Sequence, residues 1–164
     1  MTQDFATFAT NLAFDDLPED MIKLLRRSFL DTLGVAAIGS QTEMSHIARR
    51  GALALFGAGT AGGSRVLMDG RSLSPAGAAM AGAFMIDSID AHDGTTPNKG
   101  HAGSAIFPAL LAVADSLRQN GRQITGQDFA IWLALAYEIS YRAGQVQHAT
   151  CPDYHTSGAW TAVG

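Results

Sequence analysis

The stretch that decides the fold is DLPEDMIKLLRRSFLDTLGVAAIG, positions 16–39. Its apolar side chains recur at helical spacing, at Ile22, Leu25, Phe29, Leu33 and Ala36. This pattern is typical of a helix that buries one stripe of its surface. Asp16, Pro18 and Glu19 stand before it in the order of a helix start, with a capping acid, an early proline and a glutamate. We therefore predict a long helix that ends near Gly39.

Similar helical patterns continue on both sides of this stretch. They predict helices over 4–13, 43–56, 74–89, 103–118 and 125–147, and a last helix that begins at Thr156. In the predicted helix over 125–147, Thr125 and Asp128 have the spacing of an N-terminal cap. Only 64–68 resembles an extended segment, closed by a turn at Asp69-Gly70. The predicted fold is all-α, a multi-helix bundle in one domain over 1–164.

The composition limits the classes of protein to consider. Of the 164 residues, 47% are hydrophobic and 16% charged, so the chain can bury one substantial core and is not disordered. The net charge is -4 and the only adjacent basic pairs, Arg26-Arg27 and Arg49-Arg50, fit solvated helix faces, which argues against a nucleic-acid partner. No apolar run reaches the roughly 20 residues that span a bilayer, so no membrane association is expected. We expect a cytoplasmic protein, because the N-terminus lacks a secretory signal and the single Cys151 fits a reducing compartment.

Reactive polar side chains concentrate in two loops, 87–101 and 152–158. His101 and His155 each precede a predicted helix whose first residues are small. A helix N-terminus presents unpaired N–H groups and the positive end of the helix dipole, which favour a bound carboxylate and a neutral imidazole. Such histidines can donate a hydrogen bond or accept a proton. The pattern indicates a site for an anionic substrate.

Two other interpretations of these loops stay open. The histidines could serve only as caps or fill polar pockets, which is the commonest role of a loop histidine. Alternatively, Asp90, His92, Asp93 and His101 could hold a metal ion, although their spacing matches neither HExxH nor a calcium loop. A nucleophile is less favoured, because Ser104, Ser157 and Cys151 have no activating sequence context.

Several motifs in order along the chain resemble those of the MmgE/PrpD family, which includes 2-methylcitrate dehydratase, cis-aconitate decarboxylase and iminodisuccinate epimerase. These motifs are SFLDTLG at 28–34, SRVL at 64–67, SPAGAAM at 74–80, the acid-rich loop that leads into GHAGSA at 100–105, and YHTSG at 154–158. Two positions depart from the family pattern. Ala102 stands where the family usually has proline, and Thr156 directly follows His155.

The resemblance implies a metal-independent lyase, similar to 2-methylcitrate dehydratase, that acts on a small di- or tricarboxylic acid by proton transfer next to a carboxylate. It implies no cofactor. The expected catalytic residues are His101, His155 and Asp93, and the expected substrate-binding residues are Asp90 and Thr95, together with Gly103, Ser104 and Thr156 in the first turns of the two helices. The choice among dehydration, decarboxylation and epimerisation stays open at this point.

Family members are more than twice as long and carry a second, α/β lid domain. The resemblance therefore implies an incomplete helical domain that forms a homodimer or pairs with a polypeptide supplying the lid. The alternative is a helical oligomerisation or vestigial module without activity of its own.

Overall fold

Six α-helices and one β-hairpin form the part of the chain that the structure describes, residues 5–58, 62–153 and 158–163 of a computed structural model. The elements are α1 (Phe5–Asn11), α2 (Glu19–Gly39), α3 (Glu43–Leu55), β1 (Ser64–Arg65), β2 (Ser72–Leu73), α4 (Pro75–Asp87), α5 (Gly103–Gln119) and α6 (Gly126–Thr150). Short 3-10 turns lie at Phe14–Asp16, Thr96–Asn98 and Ala159–Ala162. The all-α prediction is confirmed. Among these helices, none is long and apolar enough to cross a membrane.

Most predicted boundaries agree with the structure to within a few residues, and two segments differ. The extended segment is only two residues long, and it pairs antiparallel with Ser72–Leu73 around Gly70, whose φ is 84°. Near the C-terminus, Ala159–Ala162 forms a 3-10 turn, whereas a continuing α-helix was predicted. The predicted start of that helix, Thr156, lies outside the described residues.

Asp16 does not cap α2 as the sequence predicted. Pro18 is the N-cap and makes no side-chain hydrogen bond to the helix. The Asp16 carboxylate accepts a hydrogen bond from the backbone N–H of Ala13 at 2.9 Å, and so closes the preceding 3-10 turn. Thr125 and Asp128 do form the predicted reciprocal cap of α6, through Asp128 N to Thr125 Oγ1 at 3.1 Å and Thr125 N to Asp128 Oδ2 at 2.8 Å.

The core lies where α2, α4, α5 and α6 meet. Phe107 on α5 is fully buried, with its ring centroid 4.8 Å from that of Phe29 and 6.1 Å from that of Phe129. The predicted apolar stripe of α2 faces this cluster, as expected. Helix α4 approaches α5 closely at Gly82, where an added Cβ would lie 2.8 Å from Pro108. Small residues therefore set the distance between the central helices.

The sequence predicted that Arg49 and Arg50 both lie on a solvated helix face, but Arg49 does not. It is buried on α3, and its guanidinium donates to the carbonyl oxygen of Ser40 at 3.0 Å. The same group lies 3.8 Å from the Asp69 carboxylate in the hairpin turn. Arg49 therefore joins α3 to the end of α2 and to the hairpin. Of the pair Arg49-Arg50, Arg50 is the exposed one.

Gly39 and Gly34 of α2 give a matched pair for testing this packing. A Cβ at Gly39 would overlap the carbonyl oxygen of Met85, whereas one at Gly34 meets no atom within 4 Å. We expect Gly39→Ala to lower the free energy of unfolding by about 1–3 kcal/mol, because backbone must move. Gly34→Ala should raise it by up to about 1 kcal/mol, because alanine favours helix. Urea unfolding of both variants measures the difference, and equal midpoints would contradict the close crossing of α2 and α4.

Candidate functional site

The polar loop between α4 and α5, residues 88–102, is held in a reversed shape by its backbone. Asp90 and Lys99 adopt left-handed conformations, with φ of 49° and 51°. Between them, Thr95 pairs with Gly100 through a hydrogen bond from Thr95 N to Gly100 O of 3.1 Å. The loop thus folds back on itself and brings Asp90 near His101.

His101 is oriented by a backbone group of the same loop. Its Nδ1 lies 2.6 Å from the carbonyl oxygen of Asp93. Because a carbonyl oxygen only accepts, Nδ1 carries the proton and the lone pair of a neutral ring is on Nε2. That nitrogen lies 3.9 Å from Asp90 Oδ1, and the side chain is 43% exposed. His101 is therefore an imidazole oriented by Asp93, and its side chain is partly open to solvent.

The Asp93 carboxylate occupies the N-terminus of α5. Its Oδ1 accepts a hydrogen bond from Gly103 N at 3.1 Å, where the positive end of the helix dipole favours a negative charge. A Cβ on Gly103 would overlap this oxygen, so the glycine is required for the contact. From the sequence, the N–H of Gly103 in the first turn of α5 was predicted to bind a carboxylate of the substrate. In the structure the Asp93 carboxylate accepts a hydrogen bond from this N–H, and a substrate-binding role for Gly103 stays a prediction.

Two tyrosines of α6, Tyr137 and Tyr141, lie near enough to the Asp93 carboxylate to be influenced by its charge. Burial, reinforced by the negative charge of Asp93, raises the pKa of Tyr137 well above its usual value. The same two causes raise the pKa of Tyr141 to about 12. The Tyr137 hydroxyl is buried and makes no hydrogen bond of regular geometry within the described residues. Both hydroxyls therefore hold their protons more tightly than an ordinary tyrosine does.

His92 lies beside His101, with ring centroids 4.3 Å apart and an interplanar angle of 52°. Its side chain is fully enclosed, and its Nε2 lies 3.2 Å from Asp87 Oδ1. Neither ring nitrogen makes a hydrogen bond of regular geometry within the described part of the chain. Asp90, His92 and His101 each bring one possible ligand atom within 4.8 Å of the others. Three of the four residues in the metal hypothesis thus lie together, and Asp93 faces Gly103.

The other predicted site residues have more varied positions. Ser104 donates its hydroxyl to the carbonyl oxygen of His101 at 3.2 Å, and Thr95 belongs to the bridge with Gly100. His155 and Thr156 lie outside the described residues, so their roles stay predictions. The sequence analysis missed Tyr137 and Tyr141, because they lie within a helical pattern far from the loop in sequence. Their spacing of four residues on α6 is the signal that could have placed both on one face.

The polar loop is tied to the C-terminal part of the chain through Asn98. This residue is buried, and its carbonyl oxygen accepts from His148 Nε2 at 2.6 Å and from Trp160 Nε1 at 3.0 Å. The two donors belong to α6 and to the last 3-10 turn. Three separate segments therefore converge on one backbone oxygen.

A cleft of about 880 Å³ lies elsewhere, between α2, α5 and α6. Its walls include Ile22, Phe29 and Leu133, and none of its lining residues belongs to the polar loop. Arg65 and Asp115 form an ion pair at its edge, and that pair lowers the pKa of Asp115 to about 2. The walls of this cleft are mainly apolar, whereas the polar loop brings together Asp90, His92 and His101.

Comparison with known proteins identifies the family. The sequence profile of the MmgE/PrpD N-terminal domain matches residues 3–164. The chain is 27% identical over 145 residues to a cis-aconitate decarboxylase of Aspergillus terreus and 29% identical over 142 residues to that of Homo sapiens. These alignments cover 88% and 87% of this chain and 29% of each relative, so the chain spans less than a third of their length. Since the profile covers almost every residue, the chain belongs to the MmgE/PrpD family.

Proposed function

We propose that this chain forms the helical part of the active site of a lyase that acts on a small di- or tricarboxylic acid. The observation that carries the proposal is the fixed His101 imidazole, with Nδ1 held by the Asp93 carbonyl oxygen at 2.6 Å and Nε2 directed away from that bond. The relatives named above make decarboxylation of cis-aconitate the first reaction to consider. Dehydration of a 2-methylcitrate-like acid and epimerisation belong to the same chemical class.

Each of these reactions places negative charge on carbon next to a carboxylate. In the decarboxylation of cis-aconitate, the bond to one carboxylate breaks, CO2 leaves and a proton is added to the carbon framework. In a dehydration, a carbon-bound proton is removed and hydroxide leaves as water after it is protonated. All of them require a positioned acid or base and hydrogen-bond donors for the developing charge.

The described residues can supply these groups. His101 is proposed to transfer the proton through Nε2, because Nδ1 is committed to the Asp93 carbonyl oxygen. The Asp93 carboxylate holds the start of α5 in place, and the protonated Tyr137 hydroxyl beside it is a candidate donor. Asp90 and Thr95 are proposed to contact the substrate from the polar loop. His155 and Thr156 are proposed for the second histidine motif on the resemblance alone.

The assembly and location of the protein are further parts of this proposal. On the family resemblance, we propose that the protein forms a homodimer or pairs with a polypeptide that supplies a lid. The exposed and unpaired Cys151 is compatible with the reducing environment of the cytoplasm, which we propose as the location.

The test is an assay of the purified chain with cis-aconitate, 2-methylcitrate and citrate, in the presence of a metal chelator. CO2 release and chromatography of the organic acids distinguish decarboxylation from loss of water. In parallel, NMR of the histidine side chains during titration with each acid measures binding at His101, and His46 on the exposed face of α3 is the internal reference. We expect the His101 resonances to shift and those of His46 to stay. The absence of both turnover and a shift at His101 would favour the non-catalytic helical module.

A further inference from the structure

We propose that Asp90, His92 and His101 form a binding site for a first-row transition-metal ion such as Zn²⁺ or Co²⁺, and that an ion bound there inhibits the enzyme. The three residues lie in the polar loop, and one possible ligand atom from each is within 4.8 Å of the others. The proposed lyase chemistry needs no metal. The ion would therefore be an inhibitory ligand that competes for His101.

The orientation of His101 suits a metal ligand. Its Nδ1 is 2.6 Å from the carbonyl oxygen of Asp93, so the proton is on that nitrogen and the lone pair is on Nε2. Metal-bound histidines commonly donate their other N–H to a backbone carbonyl or a carboxylate, which fixes the ring. The Nε2 atom also lies on the side of Asp90, at 3.9 Å from its Oδ1.

His92 provides a second and independent argument. Its side chain is fully enclosed, yet neither ring nitrogen has a hydrogen bond of regular geometry among the described residues. A buried polar group without a partner is costly and uncommon in native proteins. Asp87 Oδ1 lies 3.2 Å from Nε2. We therefore take Nδ1 as the ligand atom in this proposal, with Asp87 as the carboxylate that supports the ring. A bound ion would give the remaining nitrogen its partner.

The kinds of ligand identify the class of ion. Two imidazoles and one carboxylate suit zinc, cobalt or nickel, whereas calcium and magnesium prefer oxygen ligands alone. In a tetrahedral site with bonds of about 2.0–2.1 Å, ligand atoms are about 3.4 Å apart. The farthest pair must therefore approach by about 1–1.5 Å from the present limit of 4.8 Å. The Asp90 side chain is 85% exposed, so it is free to turn toward the two imidazoles.

An ion in this position would occupy the reactive nitrogen of His101. Proton transfer through Nε2 and metal coordination by Nε2 exclude each other, and so the ion would act as a reversible inhibitor that a chelator removes. The binding itself does not depend on the proposed activity. It can be measured on the purified protein without any substrate.

The experiment is a titration of the untagged protein with Co²⁺, followed by visible absorption and by calorimetry. The Cys151→Ser variant is the reference protein, because the exposed thiol could bind metal by itself. We expect one ion per chain, with the absorption of a tetrahedral or five-coordinate site. In the same background, His92→Asn and His101→Asn should each weaken binding at least tenfold. His46→Gln, which alters an exposed histidine on α3, should leave it unchanged.

Two further variants keep the test decisive if His92→Asn disturbs the core. Asp90→Asn changes an exposed side chain, and asparagine tolerates the left-handed backbone found there. It should weaken Co²⁺ binding at least tenfold, and Asp87→Asn should weaken it by about 10-fold through the lost support of His92. Failure to bind Co²⁺ or Zn²⁺ at millimolar concentration would overturn the proposal. So would binding that Asp90→Asn and His101→Asn leave unchanged.

Discussion

Replacing His101 with asparagine should lower kcat of the active protein by about 10²–10⁴-fold, the usual contribution of a positioned proton-transfer group. Asparagine can still donate a hydrogen bond to the Asp93 carbonyl oxygen from the position of Nδ1, so the polar loop should keep its shape. The Nε2 atom is lost, and with it the proposed acid or base. KM should change much less than kcat, because the substitution removes an interaction made in the transition state. Steady-state kinetics with the accepted substrate provides the measurement.

His46→Gln is the matched control for this prediction. His46 is an exposed histidine whose Nδ1 contacts Arg49 at 2.7 Å on α3, well apart from the polar loop in the chain. Its replacement should leave kcat and KM close to those of the parent protein. If His101→Asn retained kcat within about threefold, His101 would not be the proton-transfer group, and Tyr137 would become the next candidate.

Truncation of Phe107 to alanine should lower the free energy of unfolding by about 3–5 kcal/mol, the range for a buried phenylalanine. Phe107 has no exposed surface and packs against Phe29 and Phe129 at the junction of α2, α5 and α6. Removal of its ring leaves a cavity that three helices border, and these helices cannot all collapse into it. Urea unfolding followed by far-UV circular dichroism measures the loss.

The control for this prediction is Phe84→Ala on α4. Phe84 is 44% exposed, so its ring loses far less contact when it is removed. We expect a cost of about 1 kcal/mol or less, as for most surface substitutions. Similar losses for the two variants would mean that Phe107 does not hold the centre of the core.

The helical fold was largely predictable because its signals are local. The apolar stripe of α2 and the Thr125–Asp128 cap of α6 depend on residues within a few positions of one another, and both are present in the structure. One failure was a competing local contact at the start of α2, and the other depended on groups distant in sequence. Asp16 bonds backward to Ala13, and Arg49 is buried because Ser40 and Asp69 receive its guanidinium.

The candidate site was predictable in its residue types and less so in its contacts. His101, Asp93 and Asp90 were selected from loop chemistry and family resemblance, and the structure places them in one small region. The contact of Asp93 with Gly103 depends on the reversal of the loop, which residue spacing does not specify. The burial of His92 and the approach of Tyr137 arise from helix packing, and so they required three-dimensional information.

The shared carbonyl oxygen of Asn98 has a consequence for the kinetics of loop opening. His148 and Trp160 both donate to it, so the polar loop cannot swing away from the helices without breaking two hydrogen bonds in one event. Opening of the loop and exposure of the Trp160 indole are then a single cooperative fluctuation. The rate at which that indole proton exchanges with deuterium in the solvent therefore sets an upper limit on how often the loop around His101 opens.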